Sequence, residues 1–68
     1  MFKTTSVHGV STFRFLWQTY DGVDLMIGFL NKSDEGWTLE AADERFASLS
    51  GRVFTHPKHA LSALRAVA

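Results

Sequence analysis

The sequence predicts an α+β fold: a small antiparallel β-meander of three to five strands, packed on one face by a C-terminal α-helix. Three observations carry this. Residues 13–19 and 23–30 are rich in aromatic and aliphatic side chains, and Tyr20, Asp21 and Gly22 between them form a strong turn signal. Residues 37–41 alternate apolar and polar, the period of a half-buried strand. Beyond Thr55 the apolar residues change to helical spacing. At 68 residues the chain has room for one domain, residues 1–68.

Taken in order, Thr4, Thr5 and Val7 suit a first strand. His8 and Gly9, between Val7 and Val10, read as a two-residue turn that pairs Thr4 with Phe13 and Phe2 with Phe15. For the central hairpin, a two-residue Asp21-Gly22 loop pairs Trp17 with Met26, Phe15 with Gly28 and Arg14 with Phe29, mixing polar with apolar. A three-residue loop instead pairs Thr19 with Val23, Trp17 with Leu25, Phe15 with Ile27 and Phe13 with Phe29. That register gathers the large side chains on one face and is preferred. Residues 31–36 are polar, end in Gly36 and read as a loop. In the strand that follows, Trp37, Leu39 and Ala41 point inward. A further short strand is expected within residues 45–49 or 52–54.

The last element is helical. Thr55 is a suitable N-cap, and Pro57 falls in the first turn, where its missing N–H costs little. Ala60, Leu61, Leu64 and Ala68 then form one apolar stripe. About three turns of helix do not persist alone, so this one must dock. Its expected platform is the face of Phe13, Phe15, Trp17, Leu25, Ile27 and Phe29. The opposite face carries Arg14, Leu16, Gln18, Asp24, Met26, Gly28 and Leu30 and is expected to stay uncovered. An exposed apolar patch of that kind marks a contact site, and Leu16, Gln18, Met26 and Leu30 are its candidate residues.

Zero net charge conceals a polarised layout. All seven acids lie in residues 21–44, opposed there by Lys32 alone, whereas Arg45, Arg52, Lys58 and Arg65 follow with no acid among them. Such asymmetry bears on partners rather than fold. Asp34, Glu35, Glu40, Asp43 and Glu44 form an acidic segment suited to a partner with a basic groove.

Several chemistries are disfavoured. There is no cysteine for a disulfide or a thiolate metal site. His56 and His59 stand three apart, but no motif supplies a third ligand, so no metal and no cofactor is expected. Ser48, Ser50 and Ser62 occupy no nucleophile elbow, and the acidic pairs Asp34/Glu35 and Asp43/Glu44 sit in polar surroundings. The five glycines are dispersed rather than gathered into a phosphate-cradling loop. No catalysis is expected. No apolar run approaches the roughly 20 residues of a membrane span, and the first residues lack the apolar stretch of a secretory signal. A cytoplasmic location is the expectation.

What remains is a non-catalytic protein-binding module, a regulator or inhibitor of the small accessory kind found on phages and mobile elements. Its partner is another protein or, in a homodimer, a second copy. A sheet of three antiparallel strands backed by one helix, over residues 10–68, also resembles in architecture the AP2-type and integrase-arm DNA-binding domains. That resemblance implies a sheet inserted in the major groove, and makes DNA binding the alternative. Arg14 on the sheet and Arg52, Lys58 and Arg65 near the helix are the candidate nucleic-acid contacts.

Overall fold

The computed structural model describes all residues, Met1–Ala68. Five strands pair consecutively and antiparallel: β1 (Phe2–Val7), β2 (Val10–Tyr20), β3 (Val23–Ser33), β4 (Gly36–Ala41) and β5 (Val53–Phe54). A 3-10 helix (Glu44–Leu49) separates β4 from β5, and α1 (Pro57–Val67) closes the chain. This is the expected α+β meander with a C-terminal helix packed on the sheet. Of the two places expected to hold an extra strand, 52–54 contains β5, whereas 45–49 forms the 3-10 helix. His56, one residue later than expected, caps α1: its imidazole accepts the Lys58 backbone N–H at 3.1 Å. Ala68, expected in the helix stripe, is exposed at the C-cap.

The central hairpin corrects the expected register. Tyr20 pairs with Val23, so the turn holds two residues, Asp21 (φ 50°) and Gly22 (φ 75°). Positive φ at both positions is what a twisted two-residue hairpin requires. Trp17 pairs with Met26, but beyond a β-bulge Leu16 pairs with Gly28 and Phe15 with Phe29. Ile27 is the extra residue, and its carbonyl accepts the N–H groups of Ala42 and Asp43 at 2.9 and 3.2 Å. A uniform register, with either loop length, cannot produce both pairings. The bulge does, by resetting the alternation halfway along the hairpin.

β1 meets β2 similarly. Val7 pairs with Val10 across the predicted His8-Gly9 turn, but the register shifts after Ser6, so that Thr4 faces Leu16 and Phe2 faces Gln18 rather than Phe13 and Phe15. The predicted 31–36 loop is mostly strand: β3 continues to Ser33, which pairs directly with Gly36.

These registers decide which side becomes the core. Leu16 and Leu30 are 0% exposed and lie with Ile27, Trp37, Leu39 and Phe54 against Phe46 and Leu49 of the 3-10 helix and Ala60 and Leu64 of α1. The face expected to stay open is therefore covered around Leu16, Gly28 and Leu30, and the rings expected under the helix are open; Ile27 is buried as expected, whereas Asp24 and Met26 lie with the rings. β4 makes the choice: Trp37 and Leu39 turn inward as predicted, and they pair with Lys32 and Leu30, on the Leu16 side of the sheet. On the other side β4 offers only Thr38 and Glu40, no platform for a helix.

Candidate functional site

Directly paired residues share a face, so the uncovered side can be read row by row. One row runs Lys3, Trp17, Met26; the next runs Thr5, Phe15, Phe29, Glu40; a third runs Phe13, Asn31, Thr38. Four rings touch in sequence. Phe13 lies edge-on to Phe15 at 4.9 Å and stacks on Phe29 at 5.4 Å, while Phe15 and Trp17 lie 5.9 Å apart, tilted. The rings shelter one another to half-burial, and Met26 beside them is 45% exposed. Offset and edge-to-face contacts add to the area the rings bury, which fixes the cluster as one surface.

Polar groups pin the rim. The Trp17 indole N–H donates to Thr5 Oγ1 at 2.8 Å. Lys3 Nζ bridges to Asp24 Oδ2 at 2.7 Å, and Thr19 Oγ1 donates to Asp24 Oδ1 at 2.7 Å. The hydrogen bond from Lys3, then that from Thr19, hold the Asp24 carboxyl below its ordinary pKa. Lys3 and Asp24 neutralise each other, which leaves Glu40 as the unpaired charge on this face.

The expected site residues separate. Leu16 and Leu30 are core residues and offer no contact surface. Gln18 lies on the covered side and accepts a hydrogen bond from Arg45 Nη2 at 2.6 Å. The two-residue turn pairs Met26 with Trp17 and so places it on the aromatic face, where it stays accessible.

The acidic segment is also divided. Asp34 and Glu35 occupy the β3–β4 turn, and Asp43 and Glu44 lie beyond the far end of β4. Asp43 is committed internally: it caps the 3-10 helix by accepting the Arg45 backbone N–H at 2.9 Å, and it binds the Arg45 guanidinium, also at 2.9 Å. Those bonds hold its carboxyl below the usual range and raise the pKa of Arg45.

Of the candidate nucleic-acid contacts, Arg14 and Lys58 meet at one cleft beside the start of α1. Arg52 lies over the Phe54 ring at 5.2 Å, and Arg65 is in the last turn of α1. His56 and His59 face each other at 6.3 Å, each with Nδ1 engaged, by the Lys58 N–H and the Thr55 hydroxyl respectively. Sequence reasoning places Phe13, Phe15, Trp17 and Phe29 in the core and so misses them as surface. The signal that finds them is the pairing of β3 with β4, whose apolar side is unambiguous. No helix is long and apolar enough to cross a membrane. No family model, no curated protein and no solved structure matches this chain.

Proposed function

We propose that the chain is a small non-catalytic protein-binding module, acting as a regulator or inhibitor, and that the aromatic face of its sheet is the contact surface. The observation that carries this reading is the contiguous cluster of Phe13, Phe15, Trp17 and Phe29 on the side that no helix covers. Aromatic residues are the usual anchors of protein interfaces, because they bury large area at small entropic cost. The occupant that fits is another protein, presenting apolar side chains to the rings and a cation to Glu40. Rings on a sheet face also suit stacked bases. Here, however, the face's cation, Lys3, is already paired with Asp24, so a phosphate backbone finds no counter-charge.

The test compares variants in capture from cells that make the protein, with folding checked by circular dichroism. Phe15→Lys is expected to lose the partner by at least about thirtyfold, the size of an anchor residue. Glu40→Lys is expected to weaken it less and to alter its salt dependence. Lys58→Gln, on the other side of the sheet, should leave capture unchanged. Equal capture by wild type and Phe15→Lys would contradict the reading. A wild-type dimer in sedimentation that Phe15→Lys makes monomeric would replace the foreign partner with a second copy. Charge reversal across the whole acidic segment is a poorer test, because Asp43→Lys would also uncap the 3-10 helix.

A further inference from the structure

We propose that the cleft between the sheet and the start of α1 binds a small organic phosphate that carries an apolar group. The cleft has a volume of about 440 Å³, within the usual range for small-ligand sites. Arg14 of β2, Lys32 of β3 and Lys58 of α1 all line it, with His56, and no acidic side chain does. In a protein with no net charge this is a marked segregation. Only Lys3 and Arg45 are bridged to carboxylates, and both lie elsewhere; the three cations of the cleft are not. Three like charges lining one cleft, none of them bridged to a carboxylate, repel one another, and a dianion relieves that repulsion.

The donors are positioned for an oxyanion. Thr4 Oγ1 accepts the Arg14 Nε–H at 3.0 Å, which orients the guanidinium and leaves its terminal nitrogens for a ligand. Guanidinium groups recognise phosphate in a fixed two-point geometry. Lys32 Nζ stands 5.8 Å from the centre of the Trp37 ring, a cation–π contact that steadies its chain. The His56 Nδ1 lone pair accepts the Lys58 backbone N–H, so the neutral ring carries its proton on Nε2 and is a donor there. Leu61, Pro57 and Trp37 supply apolar wall. Cations and apolar side chains lining one space larger than inorganic phosphate fills select a phosphate ester.

The probes are phenyl phosphate, inorganic phosphate and phenol, titrated into the full chain and followed by amide NMR shifts. Phenyl phosphate is expected to saturate, shifting residues around Arg14, Lys32 and His56–Leu61. Inorganic phosphate should bind more weakly, and phenol should not bind. Arg14→Gln and Lys32→Gln should each weaken phenyl phosphate about tenfold, the loss of one charge-assisted hydrogen bond. Lys58→Gln, at an exposed helix position, provides a second variant that leaves the sheet untouched. Lys3→Gln, on the other face, should change nothing. The proposal is overturned by an absence of saturation, by equal affinity for phenyl and inorganic phosphate, or by binding that the Arg14 and Lys58 variants retain. Binding of a short oligothymidylate with none of phenyl phosphate would also overturn it, in favour of a nucleic-acid site.

Discussion

Phe46→Ala is expected to remove about half or more of the chain's folding stability. Phe46 is 1% exposed and is brought into the core by the 3-10 helix that Asp43 caps. Its ring meets Phe2 edge-on at 5.6 Å and 88°, and the Arg45 guanidinium lies 5.1 Å above it. Truncating a buried phenylalanine costs about 3–5 kcal/mol in lost transfer energy and cavity. A chain of 68 residues, at about 0.05–0.15 kcal/mol per residue, has roughly 3–10 kcal/mol in total. Phe2 loses its ring partner at the same time, so the loss extends to β1. Urea titration by far-UV circular dichroism measures this directly. A loss below about 1 kcal/mol would mean that the 3-10 helix is not part of the cooperative core.

Gly28→Ala is the second large effect, and it arises from backbone rather than cavity. A Cβ on Gly28 would run into the carbonyl oxygen of Glu40 and come within 3.3 Å of the Ala41 Cα. Both obstacles are main chain of β4, so neither can swing aside as a side-chain tip does. β3 and β4 must separate locally, next to the bulge at Ile27. We expect a cost of about 1–3 kcal/mol, the range for forcing extra atoms into a packed site. Gly22 is the control. It has φ 75°, but a Cβ there would meet no atom within 4 Å, and asparagine tolerates that backbone conformation. Gly22→Asn should therefore cost much less. If Gly28→Ala unfolds at the wild-type urea midpoint, the close approach of β3 and β4 is absent in solution.

Particular residues show what sequence reasoning can and cannot reach. The strand pair around Asp21-Gly22, the inward Trp37 and Leu39, and the helix opened by Pro57 are all local signals, set by turn chemistry and side-chain period. The face assignment is not local. It depends on a single bulged residue, Ile27, which reverses the alternation within one strand, and on a register shift after Ser6 that moves Phe2 from Phe15 to Gln18. Apolar content misleads, since in β2 Phe13, Phe15 and Trp17 lie on one face and Leu16 stands between Arg14 and Gln18 on the other. The deciding information is long-range, in the polar Thr38 and Glu40 that β4 turns toward the rings.

The candidate sites divide in the same way. Leu16 and Leu30 are legible as apolar but not as core, and the acidic residues are legible as charge but not as a helix cap and a distant turn. Arg14 and Lys58 stand 44 positions apart in the chain, with Lys32 between them, and only the folded sheet brings the three to one cleft. No spacing rule encodes such a meeting.

The sorting of the sheet into a covered face centred on Leu16, Leu30 and Leu39 and an open face of four rings underlies both proposed sites. Solvent paramagnetic relaxation, with a neutral gadolinium chelate and side-chain NMR on dilute protein, measures it most directly. Strong relaxation at the Phe13, Phe15, Trp17 and Phe29 rings, with protection of the Leu16, Leu30 and Leu39 methyls, is the expected result. Protected rings beside strongly relaxed Leu16 and Leu30 methyls would contradict it.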